Sequence, residues 1–323
     1  MFRRLTISGL TSAVAASVFL ALSAISHNAA EAALGIDLVP ISYVFDGIAS
    51  AQNVLVTAYT LSPDSDMVRR LLLAAHHGAH VSVGLDATAF ESAATANDTL
   101  ASTLELSNIE VHKIPTSHIK AVVLDNVIYL SDRNWPASDN QQVVVRDTLA
   151  SDRRILETAI FGGRLGANDH LWTKKADALK AEAAVISART SDEIDVETET
   201  FGAGTPVFEA IGARAAGGDH VKLLVASSDY ARSPIARRAI ANLQARHVEV
   251  RLTNANEKFA IEGYNCWVGS ANATRDLMSQ IEFGMAFRDA GMATTLHGQF
   301  VREWSTASDP PRYVPASSKR KSR

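Results

Sequence analysis

Cysteine is nearly absent from this chain of 323 residues, which contains only Cys266. A single cysteine excludes an intrachain disulfide, so the fold does not depend on the disulfide framework of many small secreted proteins. Cys266 lies in an apolar stretch with no group nearby that would lower its pKa, and we predict a core residue rather than a nucleophile. Stability must come from a large apolar core, which a hydrophobic content of 47% can supply.

Positive charge and aromatic residues are also scarce. The formal net charge is −4, and aromatic residues make up 7% of the chain. Proteins that bind nucleic acid over a broad surface present clustered lysine and arginine, often interleaved with aromatic side chains. The composition therefore disfavours a broad nucleic-acid surface, although it is compatible with a local basic cleft.

A long apolar run stands at the N-terminus, from about residue 5 to residue 25, directly after Arg3-Arg4. Small residues follow, and Ala30-Glu31-Ala32 fits a signal-peptide cleavage site. The alternative is an uncleaved anchor, because the run is just long enough to span a bilayer. We predict a signal peptide over residues 1–32 and a periplasmic or secreted location.

Strands alternate with helices through the rest of the chain, and the order repeats. A predicted helix at 67–75 and strand at 80–85 recur as helix 207–215 and strand 220–223, at an offset of 140 residues. This pattern predicts an α/β fold in which two similar halves, each a mixed sheet with helices on both faces, form one pseudo-twofold globule.

The repeats set the predicted domain boundaries. Repeat 1 covers 36–150, a largely helical bridge covers 151–194, and repeat 2 covers 195–310. Residues 311–323 form a short basic tail, for which we predict disorder, with a weak attraction to anionic lipid as the functional alternative.

The stretch 117–125 carries the clearest chemical signal. Its alternation predicts a strand, on which His118 and Lys120 point to the same side. Asp125 ends the stretch, and Asn134 follows in a polar turn. A histidine beside a fixed cation is suited to chemistry on a phosphate, because neutral imidazole is a competent nucleophile near pH 7.

The stretch has a second copy 138 residues later. There, Asn256, Lys258 and Asn272 occupy the positions of the histidine, the lysine and the asparagine. Gly269-Ser270 precedes Asn272, and Gly263 stands in place of the aspartate. A lone His-x-Lys carries no weight, whereas two copies at matched spacing are a strong signal.

The paired pattern resembles the phospholipase D superfamily, whose motif is His-x-Lys-x4-Asp followed by Gly-Ser-x-Asn. The first copy departs from it at Ser131-Asp132, and the second departs at Asn256 and Gly263. The resemblance implies that both motifs meet across one cleft, that one histidine attacks phosphorus to form a phosphohistidine, and that the other protonates the leaving alcohol. It also implies that no metal or other cofactor is needed.

Carried over position by position, the resemblance implies two sets of site residues. The catalytic set is His118, Lys120, Asp125, Lys258 and Glu282. The phosphate-binding set is Asn134, Asn256, Ser270 and Asn272. Asp125 also fits a structural role, because it stands at a strand end.

Relatives carry an acidic residue in the region of Glu282, where it orients the histidine of the opposite half. If this carries over, Glu282 holds the far ring nitrogen of His118 and sets its tautomer. A solvated charge at a strand end is the alternative. The matching place in repeat 1 falls near Asn140, beside Gln141 and Gln142, so Asn256, which stands in place of the second histidine, would face no carboxylate.

Asn256 is the main departure, since an amide cannot shuttle a proton. Another acid or water could protonate the leaving group, a second chain could supply its histidine, or the protein could bind a phosphodiester and turn it over poorly. His112, His220 and His247 are candidates for the missing acid, and the sequence does not rank them. Asp132 would repel phosphate from inside the pocket, so we expect it to point outward.

The leading functional prediction is an exported phosphodiesterase of phospholipase D type. It would hydrolyse phospholipid head groups, for example phosphatidylcholine to phosphatidate, as a monomer in contact with a membrane surface. A nuclease with the same chemistry is one alternative, and a weakly active protein that binds phosphate esters is another.

Overall fold

The computed structural model describes residues 35–88, 94–135, 142–311 and 313. The predicted signal peptide (1–32), most of the predicted basic tail and the pair Asn140-Gln141 lie outside these residues. Within the described part of the chain, no helix combines the length and the apolar character that crossing a membrane requires.

The N-terminal half is built on a seven-stranded sheet. Its strands are β1 (Ile36–Val39), β2 (Asn53–Ala58), β3 (His80–Asp86), β4 (Glu110–Ile114), β5 (Ala121–Leu124), β6 (Val127–Ser131) and β7 (Val144–Asp147), in the order β1-β7-β6-β5-β2-β3-β4. Its helices are α1 (Ile41–Ile48), α2 (Asp66–His76), α3 (Ala94–Glu105) and α4 (Ala150–Gly162). Strands β2, β3 and β4 are parallel, and the other neighbours pair antiparallel.

The C-terminal half repeats this plan. Its strands are β8 (Leu171–Lys174), β9 (Glu193–Thr198), β10 (His220–Ala226), β11 (Glu249–Thr253), β12 (Phe259–Glu262), β13 (Asn265–Gly269) and β14 (Ile281–Arg288), in the order β11-β10-β9-β12-β13-β14-β8. Its helices are α5 (Lys175–Ser187), α6 (Pro206–Ala216), α7 (Ser227–Arg232), α8 (Pro234–Gln244) and α9 (Ala290–Thr306).

The two halves therefore have matching sheets. Strand β2 pairs parallel with β3 and antiparallel with β5, and β9 pairs parallel with β10 and antiparallel with β12. Helix starts match as well, since Ser65 caps α2 and Thr205 caps α6, each by accepting a backbone N–H three residues on. The predicted α/β class with two mixed-sheet halves and flanking helices is confirmed.

The second sheet begins earlier than the predicted boundary at 195. Strand β8 and helix α5 both lie in the stretch predicted as a helical bridge, yet β8 pairs with β14 at one edge of the second sheet. It corresponds to β1, which pairs with β7 at the matching edge of the first sheet. Four residues between helical segments carry too short an alternation to stand out as a strand.

One buried apolar cluster spans the two halves. This cluster includes Ile119 and Val123 from the first half together with Phe259, Phe283 and Phe300 from the second. Strands β5 and β12, which follow the two motif segments, lie at the centre of their sheets. The fold thus brings the two motifs to one shared interface.

Candidate active site

The motif of the first half is tied directly to the second half. Strand β5 begins at Ala121, so His118 and Lys120 lie in the extended segment before it rather than in the strand that we predicted. The backbone N–H of His118 donates to the carbonyl of Ile281 at 2.8 Å, and the N–H of Ile281 donates to the carbonyl of Thr116 at 3.0 Å. The segment is extended because it pairs with β14, which sequence periodicity cannot show.

Four polar side chains form one hydrogen-bonded chain across this contact. The Nδ1 atom of His118 lies 3.2 Å from both carboxylate oxygens of Glu282. On the far side of the ring, Nε2 lies 2.7 Å from the Nζ atom of Lys120. The hydroxyl of Ser270 donates to Glu282 at 2.5 Å and accepts the backbone N–H of Phe283 at 3.0 Å. Glu282, which the resemblance implied as the partner of His118, is therefore in contact with the histidine of the opposite half.

These contacts define the protonation of the ring. Burial and then the charge of Lys120 lower the pKa of His118, so the imidazole is neutral near pH 7. A carboxylate only accepts, so Nδ1 carries the hydrogen and Nε2 keeps its lone pair, which accepts from the ammonium of Lys120. Burial, followed by the charge of Lys258, lowers the pKa of Lys120 to about 7. His118 is thus held as the tautomer in which Nε2 can act as a nucleophile.

The second lysine is held by groups from both halves. The Nζ atom of Lys258 lies 2.9 Å from an oxygen of Glu199 and donates to the carbonyls of Asp132 and Asn256, each at 3.1 Å. Besides burial, the charges of Lys120 and Lys258 both lower the pKa of His118, and the charge of Lys258 also lowers the pKa of Lys120. Together they form the positive end of the site.

Glu199 is a site residue that the sequence analysis missed. It follows strand β9 directly, and one third of its side chain is exposed. Burial opposes its ionisation, but the charge of Lys258, a hydrogen bond from that lysine and the charge of Lys120 lower its pKa to about 2. The 140-residue offset aligns Glu199 with Tyr59. A carboxylate at this position, in the half without a histidine, was the feature of the sequence that could have indicated Glu199 as a site residue.

Asp132 does not point outward as predicted, and this expectation was wrong. Its side chain is fully buried between the halves, where one carboxylate oxygen accepts the backbone N–H of Lys258 at 3.1 Å. Burial and the nearby charge of Glu257 raise its pKa well above the usual value. A protonated carboxyl group does not repel phosphate as a carboxylate would, which removes the reason for expecting it at the surface.

Three buried glutamates lie beside this contact. The carboxyl oxygens of Glu197, Glu257 and Glu303 lie within 4.8 Å of one another, and among the described residues these three are the ones that could converge on a metal ion. Arg133 donates to Glu257 at 2.8 Å. Burial, followed by the charge of Glu257, raises the pKa of Glu197 well above its usual value, and burial also raises that of Glu303. The cluster therefore retains protons at pH values where an exposed glutamate is ionised.

Replacing Glu197 by glutamine is expected to raise the free energy of unfolding by about 1–3 kcal/mol at pH 8, because an amide can donate to the neighbouring carboxyl groups without binding a proton. The native glutamate keeps a proton that the unfolded chain has lost, so wild type loses stability as the pH rises from the usual glutamate range through the higher folded pKa. The gain should thus be larger at pH 8 than at pH 5. Urea unfolding at both pH values measures it.

The matched control is Glu193→Gln, which makes the same change at an exposed position of the same strand. It is expected to leave the unfolding free energy unchanged at both pH values. If Glu197→Gln were less stable than wild type at pH 8, the glutamate would be stabilising as an anion and the explanation would be wrong.

The predicted phosphate-binding residues lie at different depths. Ser270 is fully buried and bonded to Glu282, whereas Asn256 and Asn272 are half-buried. The amide oxygen of Asn272 is buried without a hydrogen-bond partner among the described residues. Asn134 is exposed, close to the end of the segment 94–135. The residue of the first half that corresponds to Glu282 is Gln142 rather than Asn140, and its side-chain amide donates to the hydroxyl of Ser131.

The structure does not bring Asp125 to the other site residues. It follows the far end of β5 from His118, and its carboxylate accepts backbone N–H groups of Asn53 at 2.9 Å and Gln52 at 3.2 Å. Asp125 has a left-handed backbone with φ of 52°, and its counterpart Gly263 has φ of 59°. This conformation favours glycine, aspartate and asparagine, so Asp125 and Gly263 both fit the same type of turn. The replacement of aspartate by glycine in the second half therefore changes a turn and not the candidate active site.

None of the other candidate histidines joins the site. His220 and His247 stand at the N-terminal ends of β10 and β11, whereas Glu199 follows the C-terminal end of β9, which runs parallel to them. His112 lies within the edge strand β4 and pairs with Glu110 at 3.6 Å. Cys266 is buried, and burial raises its pKa to about 12, so it is not a nucleophile.

Comparison with solved structures shows which known folds this chain resembles. No family model and no curated protein matches the sequence. Phosphatidylserine synthase from Haemophilus influenzae superposes with a TM-score of 0.67 over 91% of this chain and 94% of its own, at 10% identity. Polyphosphate kinase from Porphyromonas gingivalis superposes with a TM-score of 0.58 over 88% of this chain, at 13% identity, and this chain spans 53% of its length. Both are members of the phospholipase D superfamily. The chain therefore has a phospholipase D-like fold, which is the fold that the repeated motif predicted.

Proposed function

We propose that this protein is an exported phosphodiesterase that hydrolyses phospholipid head groups through a phosphohistidine on His118. The observation that carries the proposal is the hydrogen-bonded chain from Ser270 through Glu282 and His118 to Lys120, assembled from both halves. Such a chain has the parts of an activated nucleophile: an orienting carboxylate, an imidazole and a cation at the point of attack. Export is inferred from the N-terminal sequence alone.

The first step is attack by Nε2 of His118 on phosphorus. The bond between phosphorus and the oxygen of the head group breaks, that oxygen takes a proton from solvent water and leaves as the alcohol, and the phosphatidyl group remains on the ring. Glu282 keeps the hydrogen on Nδ1 and stabilises the positive charge that the ring acquires. In the second step, water attacks phosphorus, the bond to Nε2 breaks, and phosphatidate leaves.

The lysines supply most of the electrostatic stabilisation. Lys120 and Lys258 are almost fully buried, so their charges act through a medium less polar than water. They approach from opposite halves, which suits two phosphoryl oxygens on one phosphorus. The amide nitrogen of Asn272 would add a neutral N–H donor to the two lysines.

A lipid substrate fits the charge of the site better than a nucleic acid does. Glu199 places a carboxylate next to the phosphate-binding lysines, and the whole chain has a net charge of −4. A polynucleotide would bring several phosphates to this surface, whereas a phospholipid brings one. The similarity in fold to a phosphatidylserine synthase, over nearly the full length of both chains, also favours a lipid.

We expect the full chain to release the head group from vesicles of phosphatidylcholine and phosphatidylglycerol and to leave an oligonucleotide of the same phosphate concentration intact. The reason is that one diester phosphate satisfies both lysines, while neighbouring phosphates meet Glu199. Measuring head-group release and oligonucleotide length under the same conditions makes the comparison.

His118→Ala is the control for contaminating activity in both arms. Cleavage of the oligonucleotide by wild type and not by this variant would establish the nuclease and exclude the lipid proposal. Absence of product in both arms, with wild type and variant alike, would leave only phosphate-ester binding and overturn the proposed hydrolysis.

A further inference from the structure

Glu199 and Tyr59 occupy matching positions in the two halves. Each is the residue directly after a central strand, β9 or β2, and those strands pair in the same register with the strands that follow the motifs. The ring of Tyr59 packs edge-on against the ring of His118, with centroids 5.5 Å apart. In the second half, the repeat assigns Glu199 to the position of Tyr59 and Asn256 to the position of His118.

The half that lost its histidine therefore has a carboxylate at the same end of the site. An oxygen of Glu199 lies 2.9 Å from Lys258, one of the two lysines that would bind phosphate. The charge of Lys120 also acts on Glu199, although this lysine belongs to the opposite half. Glu199 thus reaches the phosphate-binding lysines from the second half and is one-third exposed to solvent, whereas the nucleophile His118 belongs to the first half.

We propose that Glu199 is the general base that takes the proton from the water that hydrolyses the phosphohistidine. This inference rests on the proposed function and assigns the task that Asn256 cannot perform, because an amide neither accepts nor releases a proton near neutral pH. As the water oxygen bonds to phosphorus, the bond to Nε2 of His118 breaks and its electrons return to the ring. The water proton passes to the carboxylate of Glu199 and then to solvent.

Substrate binding strengthens this base. In the free protein the ion pair with Lys258 stabilises the carboxylate strongly. A bound phosphodiester shares that lysine and brings a negative charge close to Glu199, and both effects raise the affinity of the carboxylate for a proton. The base is therefore weak when the site is empty and stronger when the phosphoryl group is in place.

A competing role for Glu199 follows from the same contacts. A carboxylate on Lys258 could occupy the place of a phosphoryl oxygen and hold the site closed to anions. The two roles predict opposite effects of removing the charge: loss of turnover for a base and gain of turnover for a competing anion.

The test uses bis(p-nitrophenyl) phosphate with the full chain, because p-nitrophenolate is a good leaving group and its departure needs no acid. Glu199→Gln is expected to retain a burst of one p-nitrophenolate per active site, while its steady-state rate falls by about 10²–10⁴-fold, the usual contribution of a general base. The phosphoryl adduct on His118 should accumulate and be visible by intact mass after an alkaline quench. Glu193→Gln, exposed at the other end of the same strand, should behave as wild type.

Two further variants keep the result interpretable. Glu199→Asp retains a carboxylate and should hydrolyse the adduct faster than Glu199→Gln, which a merely structural role would not require. Adding Asn256→His to Glu199→Gln should restore part of the steady-state rate, since an imidazole then stands beside the water. A steady-state rate of Glu199→Gln equal to or above that of wild type would overturn the inference and leave the proposed function standing. Absence of both a burst and steady-state turnover with wild type would overturn the proposed function itself.

Discussion

Replacing His118 by alanine is expected to reduce phosphodiester turnover by on the order of 10⁶-fold, the size of loss that follows removal of a nucleophile from a comparable catalytic chain. The variant loses the only group in the described site that is both neutral at pH 7 and placed between an orienting carboxylate and a lysine. Lys120 and Lys258 would still bind the phosphate, so affinity for a product analogue should change much less than turnover. Steady-state kinetics and equilibrium binding of inorganic phosphate separate the two effects.

The control for this variant is His112→Ala. His112 is partly exposed on an edge strand and contacts Glu110 and Phe161, none of which belongs to the site. Its removal should leave turnover within about twofold of wild type, as expected for a surface substitution. If His118→Ala kept more than about one hundredth of wild-type turnover, a second nucleophile or a direct attack by water would have to replace the phosphohistidine route.

The parts of the site that could be predicted from the sequence are those that the internal repeat covers. The constant offset between His118 and Asn256 was sufficient to pair the motifs, and the duplicated order of strands and helices was sufficient for the fold class, which is confirmed. The link between His118 and Glu282 came from the family resemblance, because residues 164 positions apart leave no local pattern. Hydrogen bonding to Ile281 fixes that contact, and it exists only in the folded chain.

The features that were missed depend on burial. Asp132 was expected outside because an ionised carboxylate repels phosphate, but folding places it beside Glu257, where it is fully buried and its pKa rises. A sequence shows the residue type and not its charge state, so the expectation assumed an ionised carboxylate where burial favours the protonated form. Glu199 was missed for a related reason, since its importance lies in its contact with Lys258 and not in the motif itself.

Replacing Glu282 by glutamine is expected to lower kcat by about 10³–10⁴-fold with little change in fold. A loss of this size follows when the carboxylate that orients a catalytic histidine is replaced by its amide. Glu282 is fully buried, accepts the hydroxyl of Ser270 and can only accept from Nδ1 of His118. Glutamine is nearly isosteric but can also donate. If its amide nitrogen faces the ring, the hydrogen moves to Nε2 and the nucleophilic lone pair is lost. If its oxygen faces the ring, the tautomer survives but the negative charge that stabilises the phosphorylated ring is absent.

The pH profile separates loss of the charge from a general disturbance of the site. The charge of Glu282 and its hydrogen bond raise the pKa of His118, against the larger effects of burial and Lys120 that lower it. Removing that charge lowers the pKa further, so the acid limb of kcat/KM in Glu282→Gln should move to lower pH while the plateau falls. Glu249→Gln, an exposed glutamate at the start of β11, should change neither the limb nor the plateau. A limb that stayed in place, or moved to higher pH, would mean that Glu282 does not act on His118 through its charge. Ser270 would then remain its main partner, and the carboxylate would be a structural link between β13 and β14.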